Sequence, residues 1–212
     1  MHAVASATDT PTTSSPNRYR WRVVDIVVAA VLGVAVGLLF WFWNGVGYGW
    51  FEVMDAATPG LGGFAVGIWL IGGVIGGLVI RKPGAALLVE VVAAAVSATI
   101  GNIWGPATLL SGVVQGLGAE LIFAVFLYRR FGIGVAALAG VGAGVAAWIF
   151  EFFFGTSPNI AKTLEFNLIY LGTIIASGIA LAGVVGWLLV RALAKTGALS
   201  RFAAGREQAD EV

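Results

Sequence analysis

The sequence predicts an all-α membrane protein with six transmembrane helices. Of its 212 residues, 59% are hydrophobic and only 11% are charged, whereas ordinary globular domains contain about 25% charged residues. A bilayer core about 30 Å thick is spanned by about 20 apolar residues in a helix. Four long runs contain no acidic or basic residue and two more contain a single glutamate each: 26–43, 60–80, 131–150 and 166–190, then 83–101 and 105–128.

The distribution of basic residues predicts the orientation. Lys162 lies alone at one end of the predicted spans, while eleven basic residues lie at the other end: Arg18, Arg20, Arg22, Arg81, Lys82, Arg129, Arg130, Arg191, Lys195, Arg201 and Arg206. Because basic residues concentrate on the cytoplasmic side of membrane proteins, both termini are predicted to be cytoplasmic.

The organisation follows from these spans. Residues 1–17 are rich in Ser, Thr and Pro and are expected to be a disordered tail, residues 18–196 to form the six-helix domain, and residues 197–212 a polar cytoplasmic tail. The longest external connection is predicted at residues 44–60. Its aromatic residues Tyr48, Trp50 and Phe51 suit either an anchor at the headgroup level or a lid over an external site.

Small residues recur at four-residue spacing inside several spans, a pattern that lets membrane helices approach closely. In spans two and five they predict packing within the chain: Gly72/Gly76, Gly73/Gly77, and Ala136, Gly140 and Gly144. In span one the stripe of Ala29, Gly33 and Gly37 can pack internally or meet another subunit. Trp69 and Trp187 are expected to face lipid or the core.

Several kinds of chemistry are excluded or disfavoured. There is no Cys and the only His is His2, which removes thiolate sites and the commonest metal ligand and general base. No Walker sequence is present, so the chain has no P-loop site for ATP. We therefore expect no metal site, no cofactor and no enzymatic activity. The net charge of +1 gives no indication of a nucleic-acid partner.

What remains is a set of polar and aromatic residues within or at the ends of the apolar runs. Ionisable residues inside a membrane are costly, and are functional candidates by default. Glu90 and Glu120 are expected near the middle of the membrane, and Glu151 in its outer half. The candidate small-molecule site, open to the exterior, comprises Asn44, Glu90, Asn102, Trp104, Gln115, Glu120, Trp148, Glu151 and Tyr170.

The chemistry of this set favours a binder of a flat organic ring. Aromatic side chains can sandwich the ring, while carboxylates and amides bond to its edge or balance a cation. Each glutamate can instead be protonated and serve only to join helices, and Trp104 and Trp148 can be packing residues. Gln115 is the better candidate for direct contact, with Glu120 as the floor of the pocket or a support behind it.

Three segments carry a family resemblance: "DIVVAAVLGVAVGLLFWFWN", "RKPGAALLVEVVAA" and "LLSGVVQGLGAELIFAVFLYRRFG". With them the chain resembles the YkoE-type substrate-binding (S) components of energy-coupling-factor (ECF) transporters, over about residues 22–194. The resemblance implies capture of thiamine or its hydroxymethylpyrimidine (HMP) precursor, and partners comprising a membrane scaffold subunit and two ATPase subunits. It also implies that the scaffold docks on the stripe of Ala29, Gly33 and Gly37, or on the neighbouring Ala30 and Val34.

Two other functions remain compatible with the residues. An autonomous transporter would use Glu90 and Glu120 as a proton relay, and uptake into liposomes by the isolated chain would identify it. A scaffold or assembly protein would need its buried acids only for helix association.

Overall fold

The fold is built entirely from helices in the part of the chain that the structure describes. The computed structural model describes residues 19–154, 158–202 and 204–205. Its α-helices are α1 (Val23–Ala57), α2 (Ile71–Ile80), α3 (Ala85–Ile100), α4 (Ala107–Val125), α5 (Ile133–Phe153), α6 (Leu164–Ser177) and α7 (Gly186–Lys195). A 3₁₀ segment, Leu61–Leu70, leads into α2, and a π segment, Gly178–Val185, joins α6 to α7.

The all-α membrane prediction is confirmed. Among the described residues, five helical segments are long and apolar enough to cross a membrane: Val23–Ala57, Leu61–Ile80, Ala107–Val125, Ile133–Phe153 and Leu164–Lys195. The remaining predicted span is α3, which is apolar but has only 16 residues. The predicted tail at residues 1–17 lies outside the described residues.

The first helix is much longer than predicted. The segment 44–60 was expected to be a loop, but α1 continues without interruption to Ala57, giving 35 residues. At 1.5 Å per residue this helix is about 52 Å long, well beyond the roughly 30 Å of a bilayer core. The prediction was wrong because it assumed that the first helix ends where the membrane ends. In the structure the helix continues beyond that length and packs against the rest of the protein.

The second span lies at the centre of the bundle. All ten residues of α2 are buried, and α3, α4 and α5 all contact it. Around it, α3 packs between α1 and α4, α5 packs on α4, and the π segment packs on α5. The predicted internal packing of the glycines in spans two and five is confirmed, since a Cβ at Gly76 would lie 2.7 Å from Val89 and one at Gly144 would lie 2.8 Å from Ile174.

The small-residue stripe of α1 faces the protein interior. Ala29, Gly33 and Gly37 are all buried. A Cβ on Gly33 would lie 2.5 Å from the side chain of Val92, and one on Gly37 would lie 2.6 Å from Val96, so the stripe packs against α3. The prediction that these three residues dock a partner is therefore wrong, because α3 of the same chain already covers them. By contrast Val34, at 45% exposed, and Ala30 lie on the uncovered face.

The connection between α2 and α3 is fixed at what we call the basic end, where the α2–α3 and α4–α5 connections and the end of α7 lie. Asp25 is fully buried and forms ion pairs with Arg22 and Lys82. The indole of Trp21 donates to the Pro83 carbonyl oxygen at 3.0 Å. These contacts hold the beginning of α1 against the turn that starts α3.

The described part of the segment predicted as a polar C-terminal tail contributes to the core. Leu199 and Phe202 are 6% and 4% exposed and belong to the same buried cluster as the helices. Burial of apolar side chains thus continues past α7, because Leu199 and Phe202 pack within the same buried cluster as the helices.

Candidate functional site

A large cavity opens at the end of the bundle opposite the basic end. Its volume is about 530 Å³, within the range of about 300–1,000 Å³ typical of small-molecule sites. The far half of α1, the end of α3, the beginning of α4, the end of α5 and the beginning of α6 all contribute to its lining. Six of the residues predicted to form a site line this cavity: Asn44, Glu90, Trp104, Gln115, Glu151 and Tyr170.

One wall of the cavity is a continuous series of aromatic rings. The Trp104 ring meets Trp69 and Tyr48 edge to face, with centroids 5.6 Å apart in both pairs. Tyr48 stacks on Phe51 at 6.1 Å, and Phe51 meets Tyr170 edge to face at 6.0 Å. Such mutually supported rings present a rigid apolar surface on which a flat ligand can lie.

Glu90 supplies a carboxylate deep in the cavity. It is 1% exposed, and its Oε2 accepts a hydrogen bond of 2.6 Å from the backbone N–H of Gly73. Gly73 is in the first turn of α2, directly after the 3₁₀ segment. A Cβ at Gly72 would lie 2.7 Å from Oε2, so glycine there permits this approach. No donor from the described residues reaches Oε1, which is left to bond a ligand.

A second carboxylate lies at the end of α5. Glu151 Oε2 accepts a hydrogen bond of 2.6 Å from the hydroxyl of Tyr170 on α6, which joins the two helices across the cavity. Lys162 also lines the cavity, with its Nζ 4.0 Å from the ring centroid of Phe166. This part of the site therefore contains an acid, a phenol and an amine.

Two of the amides that line the cavity are held by hydrogen bonds. Asn44 accepts from Trp69 Nε1 at 2.9 Å and donates to Ser97 Oγ at 2.9 Å, so it orients both side chains. Gln115 donates from Nε2 to Ser111 at 2.7 Å. That bond fixes the amide plane and leaves the Gln115 oxygen available to accept from a ligand.

Asn102 and Trp148, both predicted to belong to the site, do not line the cavity. Asn102 Oδ1 accepts from the backbone N–H of Trp104 at 3.0 Å and of Gly105 at 2.8 Å. It thereby shapes the turn that carries Trp104. Trp148 packs against the core and its ring lies 5.2 Å from that of Phe152, which is a packing role on α5.

Glu120 lies away from the cavity, at the basic end. Its Oε1 accepts from the Gly84 N–H and the Tyr128 hydroxyl, both at 2.7 Å. Its Oε2 accepts from the N–H groups of Ala86 at 2.9 Å and Leu87 at 3.2 Å. A carboxylate placed on the N–H groups at the start of a helix stabilises that helix. The carboxylate of Glu120 is therefore a cap for α3.

The predicted position of Glu120, level with Glu90, is wrong. An unbroken helix back from Arg129 would put Glu120 level with Glu90, but α4 ends at Val125, and Leu127 and Tyr128 adopt left-handed backbone conformations. Glu120 is thus close to the helix end, and the residue level with Glu90 is Gly116, where a Cβ would lie 3.0 Å from that of Glu90. The Glu120 carboxylate already accepts four hydrogen bonds at the basic end. The geometry therefore does not favour a proton relay between Glu90 and Glu120.

Substituting Glu120 with glutamine is expected to lower stability and leave ligand binding intact. A Gln side chain has one acceptor oxygen in place of two and turns an NH₂ donor toward backbone N–H groups, which costs about 1–3 kcal/mol. Thermal unfolding of the purified chain measures the loss. Glu165→Gln is the control, because Glu165 is exposed on the first turn of α6. Normal stability with lost binding would contradict the capping role.

Sequence reasoning missed several lining residues. Tyr48 and Phe51 were assigned to a loop and Trp69 to lipid or core, but all three line the cavity. A signal was present: residues 40, 44, 48 and 51 follow the spacing of one helical face, and all four line the cavity. Extending the first helix beyond Asn44 would have identified that face.

Three similarities to known proteins relate this geometry to a function. The sequence model of a family described as "ABC-type cobalt transport system, permease component" matches residues 24–146. The Bacillus subtilis (strain 168) protein YkoE, which carries the provisional name HMP/thiamine permease protein, is 38% identical over 190 residues, or 88% of this chain and 92% of YkoE.

A solved structure described as an S-component of an ECF transporter is also similar. It superposes with a TM-score of 0.83 at 34% identity, over 91% of this chain and 95% of that one. The agreement thus extends over nearly the whole length of both chains. The chain is a multi-pass membrane protein of the transporter class, and it belongs to the family of YkoE and the S components of ECF transporters.

Proposed function

We propose that this chain is the substrate-capture subunit of an ATP-driven ECF transporter and that its ligand is thiamine or HMP. The observation that carries this proposal is the cavity itself, in which an aromatic wall and two carboxylates line one volume. Mostly apolar sites with a few placed polar groups are typical of small organic ligands. The provisional name of YkoE supplies the ligand class.

The aminopyrimidine ring shared by both compounds fits the deep part of the cavity. Its face can lie on Trp69 or Trp104, and its exocyclic amino group can donate to the available oxygen of Glu90. Gln115 can accept a second hydrogen bond from the same edge. Because Glu90 is only 1% exposed, water does not compete for this oxygen, and we assign Glu90 to recognition of the amino group.

The positive charge of the thiazolium ring of thiamine can be neutralised in the part of the cavity that Glu151 lines. Glu151 is held by Tyr170 at 2.6 Å, and an ionised carboxylate there attracts a cation. Lys162, which also lines the cavity, opposes that attraction. The balance of these two charges sets how strongly thiamine is preferred over uncharged HMP.

The remaining features of the proposal concern the assembly. We place both termini in the cytoplasm of a bacterial cell and the cavity on the exterior, because basic residues concentrate on the cytoplasmic side. A scaffold subunit and ATPase subunits would energise transport, and the chain itself would be non-catalytic. The exposed face of α1 around Ala30 and Val34 is the surface that we propose for the scaffold.

Trp104→Leu is expected to weaken binding of HMP and thiamine by roughly 5- to 100-fold, since stacking of a base on an aromatic side chain contributes about 1–3 kcal/mol. Titration calorimetry and quenching of tryptophan fluorescence on the purified chain measure the change. Trp50→Leu is the matched control, because Trp50 is 52% exposed and outside the cavity. Co²⁺ is titrated in parallel, since the matching family description names cobalt. No quenching and no heat with either organic compound would exclude the proposed ligands.

A further inference from the structure

We propose that Ser97 donates a hydrogen bond to a ring nitrogen of the ligand, and that Trp69 fixes the direction of this bond through Asn44. The inference rests on the proposed function and names the group that this part of the site selects, an unprotonated ring nitrogen. Trp69, Asn44 and Ser97 all line the cavity. The helical segments that carry them lie within the continuous described part of the chain, residues 19–154.

The direction of these hydrogen bonds is set at Trp69. An indole N–H can only donate, so the Asn44 atom that lies 2.9 Å from Trp69 Nε1 is the amide oxygen. The amide nitrogen of Asn44 then faces Ser97, and it donates to Ser97 Oγ at 2.9 Å. Because Ser97 is the acceptor in this pair, its own hydroxyl proton points elsewhere.

The hydroxyl proton of Ser97 is left for the ligand. Ser and Thr side chains inside helices can donate to a carbonyl oxygen of the preceding turn, as Thr99 does to Ala95 at 2.7 Å. Among the described residues no carbonyl oxygen accepts from Ser97, although Ser97 is only 1% exposed. A buried donor without a partner is costly, so an acceptor on the ligand completes the hydrogen bonding of this side chain.

The position of Ser97 selects the ligand atom. Glu90 and Ser97 are both on α3, two turns apart on one face and about 10 Å apart along the helix axis. A ring whose amino group donates to Glu90 therefore presents its opposite end to Ser97. In an aminopyrimidine, the atom opposite the carbon that bears the amino group is ring nitrogen N1, which accepts a hydrogen bond when it is unprotonated. We assign N1 to Ser97.

The test compares three ligands by titration calorimetry on the purified full chain, at a mildly alkaline pH where every ring is uncharged. They are HMP, an analogue with C–H in place of N1, and an analogue that keeps N1 but has methyl in place of hydroxymethyl. Ser97→Ala is expected to weaken the two ligands that carry N1 about tenfold, because a buried acceptor loses its donor, and to change the C–H analogue less than about twofold. Equal effects on all three would overturn the proposal. A loss that spares only the methyl analogue would assign Ser97 to the ligand hydroxyl and also overturn it.

Asn44→Asp tests whether the direction is set through Asn44. A carboxylate only accepts, so it accepts from Trp69 with one oxygen and from Ser97 with the other, which turns the Ser97 proton away from the ligand. Affinity for HMP is expected to fall about tenfold. Adding Ser97→Ala to this variant should cause no further loss, since both changes remove the same hydrogen bond. Additive losses would show two independent effects and overturn the proposed coupling.

Trp69→Phe keeps an aromatic ring and removes the N–H, so the Asn44 amide is no longer oriented. The ratio of the affinity for HMP to that for the C–H analogue is expected to fall at least about threefold. Loss of stacking does not change this ratio, because both ligands stack. Trp43→Phe is the matched control, since Trp43 Nε1 donates to the Ala65 carbonyl oxygen at 3.0 Å and Trp43 does not line the cavity.

Thermal unfolding verifies that each variant is folded. An unchanged ratio in both Ser97→Ala and Trp69→Phe, with HMP still bound, would overturn this inference alone. Absence of HMP binding to the parent chain would overturn the proposed ligand, and this inference with it.

Discussion

Glu90→Gln is expected to weaken binding of HMP and thiamine by roughly 5- to 150-fold, because a buried donor of the ligand left without its acceptor costs about 1–3 kcal/mol. The Gln oxygen can replace Oε2 as acceptor for the Gly73 N–H, now 2.6 Å away. The NH₂ group then takes the place of Oε1 and cannot accept from the amino group of the ligand. Titration calorimetry on the purified chain measures the change in affinity.

The control for this prediction is the same chemical change elsewhere. Glu165→Gln also converts a carboxylate to an amide, but on an exposed turn outside the cavity, so affinity should stay within twofold of the parent. Thermal unfolding separates a lost contact from a lost fold, because Glu90 is fully enclosed. Parent-like affinity in a folded Glu90→Gln variant would remove Glu90 from the ligand contacts and leave Glu151 as the candidate acid.

Gly140→Ala is expected to destabilise the bundle by about 3 kcal/mol or more, at the upper end of overpacking effects. A Cβ at Gly140 would lie 2.7 Å from the carbonyl carbon of Gly178 and 3.2 Å from the backbone nitrogen of Gly183. These are backbone atoms of the π segment, which cannot rotate away as a side chain can. Either α5 must separate from the sixth span or the π segment must rearrange.

The matched control is Gly172→Ala. Gly172 is inside α6, and a Cβ there would meet no atom within 4 Å. Removing the flexibility of glycine from a helix is stabilising by about 0.5–1 kcal/mol, so this variant should unfold at the same temperature as the parent or slightly higher. Thermal unfolding monitored by size-exclusion chromatography compares the two. Equal stability of both variants would show that the contact between Gly140 and Gly178 is looser than the structure has it.

The sequence was sufficient for the class of the protein and for some of the residues that line the cavity. The long runs poor in charged residues predicted the helices. Glu90 and Glu151 were identified because acidic residues are rare within these runs and at their ends. Six of the nine predicted site residues line the cavity. The three that do not, Asn102, Glu120 and Trp148, carry the same residue types as the six. Their separation from the cavity depends on helix ends and helix rotation, which residue type does not encode.

The length of α1 shows a second limit. The glycines between Asn44 and Gly49 favour a loop by local propensity, because glycine weakens a helix. In the structure Tyr48 and Phe51 pack on Trp104 and Tyr170, and this burial outweighs the local cost. Tertiary contacts thus turned a segment predicted to be a loop, either an anchor or a lid, into a wall of the cavity.

The sequence by itself determined that this chain lies in a membrane as a helical bundle, because the cost of placing charges and unpaired backbone groups in lipid depends on composition alone. It also identified the glutamates whose placement in a membrane costs enough free energy to make them functional candidates. Only the tertiary structure decided which carboxylate faces the cavity, which caps a helix and which stripe of small residues is already covered. The physical reason is that each of these depends on the partner that another helix brings, and that partner is distant in sequence.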